Sequence, residues 1–99
     1  MKAIKSITFP DEEIAHLLNR REIITHRVSD ERKKFFVGDL VQTSLGAIYQ
    51  VVEKYNIASV DDSPWLSFLT PGQIALMREF GPVAILKLHK VVVDKDVEV

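Results

Sequence analysis

Ninety-nine residues, no cysteine, a formal net charge of −1 and no apolar run near membrane-spanning length exclude several classes at once. Disulfides and thiolate metal sites are ruled out, a transmembrane helix has no candidate, and near-neutral charge argues against strong non-specific DNA binding while leaving room for a local basic patch. What remains is one soluble domain, 1–99, which at this length buries roughly two-thirds of the surface its unfolded chain exposes.

A composition of 46% hydrophobic and 27% charged residues fits that class. The opening residues MKAIKSITFPDEE meet acid before any sustained apolar run and do not read as a signal peptide. The cysteine-free composition suits a reducing, cytoplasmic compartment.

Residues 2–9 read as a first strand, with Ile4 and Ile7 apolar and Ser6 and Thr8 as β-tolerant polar positions. Pro10 stops it. Asp11, Glu12 and Glu13 then open a helix at the positive end of its dipole, and Ile14, Leu17 and Leu18 give that helix one apolar stripe ending near Arg20.

From Arg21 to Val28 the period changes to two. Arg21, Ile23, Thr25 and Arg27 fall on one face, and Glu22, Ile24, His26 and Val28 on the other. Neither face is wholly apolar, which is unusual for a strand that only packs. A charged loop is expected over residues 29–34, after which Phe35 and Phe36 return the chain to the core and Gly38 and Asp39 supply a turn into LVQTS.

Ser44, Leu45 and Gly46 read as a hairpin connection. The run 47–60 is longer than an ordinary strand, so a bend or bulge is expected within it, with Tyr49, Val51, Tyr55 and Ile57 on one side. Asp61 to Pro64 breaks it, PWLSFL suggests a short helical turn, and Thr70-Pro71-Gly72-Gln73 has the form of a capping box opening a helix through Ile74, Met77 and Phe80. Gly81-Pro82 stops that helix, 83–93 is the last strand, and 94–99 is a charged tail. The order β-α-β-β-β-α-β predicts an α+β fold, a small mixed β-barrel with two or three short helices.

The chemistry concentrates in residues 20–39, RREIITHRVSDERKKFFVGD, which carry six Lys or Arg and His26 against four acids. His16, His26 and His89 lack metal-ligand spacing, so no metal site is expected. No nucleophile elbow and no phosphate-cradling glycine loop exists, and no cofactor is implied. Thr25 and Arg27, two apart on a strand, place a hydroxyl beside a guanidinium whose fixed fork suits phosphate or carbonyl oxygens. A solvated strand face gives the same pattern. Arg20, Arg21, Lys33 and Lys34 would extend a basic rim toward a nucleic-acid backbone. Of the aromatics, Tyr49 and Tyr55 read as core and Trp65, at a loop edge, as the better stacking platform for a base.

The segment LLNRREIITHRVSDERKKFFVGDLVQT resembles the opening of ASCH domains, in the PUA-like barrel superfamily, over about a quarter of the chain. The KFFVGDLVQT turn carries the clearest part of the likeness. The resemblance implies a PUA-like β-barrel that binds RNA or a nucleotide in a cleft beside the family's Gly-x-Lys-x-x-x-x-Arg signature. A branch of that family hydrolyses the amide of acetylated cytidine with a lysine, a threonine and a glutamate. The signature arginine falls on Arg27 and the threonine on Thr25, whereas the glycine falls on Arg20 and the lysine on Glu22. An acid at 22 removes the group that would activate the threonine. An RNA- or nucleotide-binding domain is therefore the leading expectation, with Thr25 and Arg27 on the cleft floor. The alternatives are an amidohydrolase with Thr25 as nucleophile, or a protein-interaction module that uses an exposed barrel edge.

Overall fold

A computed structural model describes residues 4–9, 21–44 and 46–91. The expected first helix, with Ile14, His16, Leu17, Leu18 and Arg20, lies outside the described residues, as do Leu45 and the charged tail.

Five strands form one mixed sheet: β1 (Lys5–Ser6), β2 (Glu22–Val28), β3 (Leu40–Gln42), β4 (Ile48–Ile57) and β5 (Val83–Lys90). Their order is β1-β3-β4-β5-β2, with β1 parallel to β3 and every other neighbour antiparallel. The expected closed barrel is not formed. Closure needs a hydrogen-bonded ladder between the first and last strands. Here β1 contributes only two residues and stands at the opposite edge from β2.

Each face carries its own core. On one, Ile7, Ile23, Phe35, Val41, Tyr49, Val51, Leu86 and Leu88 are buried together, with Phe9 and Ala47 against them. On the other, Val60, Val83 and Ile85 pack under Ile57, Trp65, Leu66, Leu69, Ile74 and Met77. That second core is roofed by two 3-10 turns (Val60–Asp62 and Leu66–Phe68) and by a helix over Pro71–Phe80. The helix starts as its sequence dictates. Thr70 Oγ1 accepts from Gln73 N at 3.1 Å, Gln73 Oε1 accepts from Thr70 N at 2.9 Å, and proline occupies the first turn.

Residues 31–34 correct the expected loop. Glu31–Lys34 form a single helical turn, α1, acidic at its start and basic at its end, so its charges complement the backbone dipole. The longer helix is α2.

The long strand breaks where its length suggested. Val51 pairs with Leu88 but Glu53 pairs with Lys87, leaving Val52 as the extra residue of a bulge. Facing residues of an antiparallel pair share a side, so the bulge exchanges the faces of β4. Tyr49 and Val51 lie with the first core, while Glu53, Tyr55 and Ile57 lie on the second face. The expected single row of Tyr49, Val51, Tyr55 and Ile57 is thus split, and Lys54 is moved onto the first face.

Candidate functional site

β2 keeps the alternation read from its sequence. Ile23, Thr25 and Arg27 face the first core, and Glu22, Ile24, His26 and Val28 face the other way. Thr25 is only 8% exposed, and its Oγ1 accepts a hydrogen bond from Arg27 Nε at 3.1 Å. The Arg27 side chain is 11% exposed. Its Cζ lies 4.8 Å from the centroid of the Phe9 ring, and Nη1 lies 4.0 Å from Glu31 Oε1. Hydroxyl and guanidinium do stand side by side, but they form an enclosed cation under an aromatic ring and not an open fork.

The accessible cations gather at the end of this face, around α1 and the turn after it. Ser29, at φ 57, swings the chain out of β2, and α1 then exposes Lys33 and Lys34. Glu31 stands between the enclosed and the exposed charges, with Oε1 4.0 Å from Arg27 and Oε2 3.9 Å from Lys34 Nζ. Beyond α1, Phe35 is fully buried, whereas Phe36 and Val37 are 57% and 60% exposed. The two phenylalanines do not both return to the core.

A hydrogen-bonded turn holds Phe36 in place. Asp39 N donates to Phe36 O at 3.0 Å, Phe36 N donates to Asp39 Oδ2 at 2.8 Å, and Gly38 takes the positive φ of 96° that the turn's third position requires. Lys5 Nζ bonds Asp39 Oδ2 and Lys34 O, each at 2.7 Å. From β4, Lys54 Nζ donates to Phe35 O at 2.9 Å. Both ammonium groups lie 4.9 Å from the centroid of the Phe36 ring, and Lys34 Nζ lies 5.4 Å from that of Phe35. Two chain positions far apart in sequence, 5 and 54, therefore converge on the exposed ring of Phe36, while Lys34 lies over the buried ring of the residue that follows it.

Neither Lys5 nor Lys54 stood out in the sequence, since one depends on the parallel pairing of β1 with β3 and the other on the bulge. Lys54, Leu86 and Thr25 form one row across β4, β5 and β2. At ordinary strand spacing, Lys54 and Thr25 are roughly 10 Å apart.

The remaining expected site residues lie elsewhere. Glu22 is on the second face, where its Oε2 meets His89 Nε2 at 2.8 Å and Lys87 Nζ at 3.7 Å. It cannot serve the hydroxyl of Thr25 through the sheet. Arg21 lines an open hollow of about 320 Å³ with Glu22, His89 and Lys90. Trp65 is half-buried in the second core, its ring 5.7 Å from that of Tyr55. It is therefore separated from Thr25 and Arg27 by the sheet itself. Tyr49 is buried as expected, but Tyr55 is 40% exposed and its hydroxyl donates to Glu53 Oε2 at 2.8 Å. That bond, together with Lys87, holds the Glu53 carboxyl below its ordinary pKa.

The same face buries a histidine. His26 Nε2 lies 2.8 Å from Ser63 Oγ, which also accepts from Trp65 N at 3.0 Å. Ser63 Oγ can donate to Nε2 or accept a second bond from it, so the ring's tautomer sets the direction of this bond, while Nδ1 is buried with no hydrogen-bond partner among the described residues. Burial pushes the His26 pKa down, so the neutral ring is favoured. Both side chains are under a tenth exposed, so the pair ties β2 to the 63–65 segment and offers no open nucleophile.

Among the described residues no group of three or more His, Asp or Glu is placed to hold a metal ion, and no helix is long and apolar enough to cross a membrane. Comparison with family models, curated proteins and solved structures finds no match.

Proposed function

We propose that this chain binds RNA or a nucleotide in the cytoplasm, as an ASCH-type domain of the PUA-like superfamily. The binding surface is the basic rim made by Lys33 and Lys34 of α1, Lys5 of β1 and Lys54 of β4. The family reading rests on the KFFVGDLVQT turn and the strand before it. The observation that carries the functional reading is the convergence of Lys5 and Lys54 on the exposed ring of Phe36, next to the exposed Lys33 and Lys34 of α1. Clustered ammonium groups neutralise phosphates, and the adjoining ring offers a surface to a base. A net charge of −1 spread over the whole chain makes this local excess of positive charge directional.

Thr25 and Arg27 form the floor behind the rim. Arg27 adds positive potential from beneath, while its enclosure leaves direct phosphate contact to the lysines. Nothing in the geometry favours the amidohydrolase reading, since the residue at the lysine position, Glu22, faces away from Thr25.

The test is fluorescence anisotropy with a labelled single-stranded RNA of about twelve nucleotides, within the usual range of site sizes. Reversing two exposed charges in a Lys33→Glu/Lys34→Glu variant should weaken binding about tenfold or more at about 50 mM salt. Far-UV circular dichroism serves as the folding control. Equal affinity of wild type and variant would remove the rim from the account.

A further inference from the structure

Large apolar side chains side by side on a surface need a reason, and Phe36 with Val37 is such a pair. Three features separate it from a loop tip that merely frays. The turn beneath is closed at both ends by hydrogen bonds between Phe36 and Asp39. Gly38 N donates to Val51 O at 2.7 Å, which pins the turn to β4. Asp39 is in turn held by Lys5. The ring is thus displayed on a fixed mount with little conformational freedom left to lose on binding.

The ring's surroundings select its partner. Lys5 and Lys54 each lie over the Phe36 ring, with Nζ 4.9 Å from its centroid, yet more than half of the residue's surface stays open, and it is this open part of the ring that a base would meet. Of three ammonium donors, Lys54 uses one on Phe35 O and Lys5 uses two on Lys34 O and Asp39. Donors therefore remain for an incoming anion beside the open part of the ring. A ligand that presents a flat π-surface a few ångströms from a phosphodiester matches that arrangement. An unstacked nucleotide has both features, whereas a paired one hides its face within the duplex.

From this we infer that Phe36 is a stacking platform for one unpaired base, so that the rim selects single-stranded over duplex RNA. The inference rests on the nucleic-acid reading above and adds to it the form of the strand that is recognised. Lysines supply affinity that follows salt, and Phe36 supplies the discrimination between strand forms.

The experiment replaces one base of the single-stranded RNA by 2-aminopurine, whose fluorescence drops on stacking, and follows anisotropy and intensity together. Wild type should quench the probe and bind the single strand about tenfold more tightly than a duplex of the same sequence at equal salt. Phe36→Ala should abolish the quench and remove that tenfold preference, leaving duplex affinity and the salt dependence in place. Phe36→Trp should restore both. Salt-dependent binding with no preference for either form, or a preference unchanged in Phe36→Ala, would overturn the platform while leaving the basic rim standing. Binding to vesicles of anionic lipid that is lost in Phe36→Ala, with RNA binding unaffected, would overturn it in favour of a membrane surface. Absence of binding to either RNA form at about 50 mM salt would overturn both the rim and the platform.

Discussion

Arg27 donates from Nε to Thr25 Oγ1 at 3.1 Å, two residues back along the same face of β2. The bond lies under the Phe9 ring and beside Glu31, so the charge is fixed in orientation and largely withheld from solvent. Thr25→Val keeps the shape of the side chain and removes the acceptor. Urea unfolding should show a loss of about 1–2 kcal/mol, the usual consequence of leaving one donor of a partly buried charged group unpaired. RNA affinity should change by less than about twofold, because the guanidinium charge remains in place beneath the rim. A large loss of binding without loss of stability would instead mark Thr25 as a direct ligand contact.

Thr25 and Glu22 are three residues apart on one strand and so face opposite sides of the sheet. On the hydroxyl's own face, Lys54 stands roughly 10 Å away and the Glu31 carboxylate is turned to Arg27 and Lys34, so neither is placed to take the proton of Thr25. Incubation with acetylated cytidine should therefore yield no free cytidine by chromatography above the rate without protein. Release of cytidine that disappears in Thr25→Ala would restore the enzymatic reading.

Glu31 reaches Arg27 at 4.0 Å and Lys34 at 3.9 Å, and with Asp39, which holds Lys5, it offsets the positive charge of the rim. Glu31→Gln removes the charge with little change in shape. Affinity for single-stranded RNA at low salt should rise about threefold, with a slightly steeper salt dependence. A decrease would mean that Glu31 orients the cations more than it screens them.

His26 gives the fold a pH dependence whose direction follows from burial. Its folded pKa is lowered, so the unfolded chain binds a proton first as pH falls through the ordinary histidine value of about 6.5. Stability is full above that pH and declines below it, by at most about 1.4 kcal/mol per pH unit for one group. The carboxyls of Glu53 and Asp61, held low by Tyr55 and Arg78 respectively, act in the other carboxylate window, losing stability only below about pH 4.5. Urea midpoints between pH 7.5 and 5 should therefore fall for wild type and flatten in His26→Leu. An equal fall in both proteins would assign the effect to other groups.

The features legible in the sequence are those fixed by near neighbours. The capping box at Thr70 and Gln73, the Gly38 turn and the two faces of β2 each depend on residues within four positions of one another. The bulge was legible only as excess length. Its position at Val52 was not, and that position decides whether Lys54 joins Thr25 or Trp65. Phe35 and Phe36 are identical in type and adjacent, so composition cannot say which one enters the core. The alternation of an extended segment sends one inward and the other out. Lys5 became part of the site through parallel pairing of β1 with β3, a long-range contact with no local signal. Barrel closure failed for the same reason, since it depends on edge strands whose ladder cannot be counted from their sequences.

The salt dependence of binding tests the basic rim most directly. If Lys5, Lys33, Lys34 and Lys54 each neutralise one phosphate of a single strand, the logarithm of affinity should fall with the logarithm of salt at a slope of about −3. Between about 50 mM and 200 mM salt that is roughly a 50-fold loss. The Lys33→Glu/Lys34→Glu variant should show a shallower slope. A slope near zero, or one the variant leaves unaltered, would contradict the rim as the seat of binding.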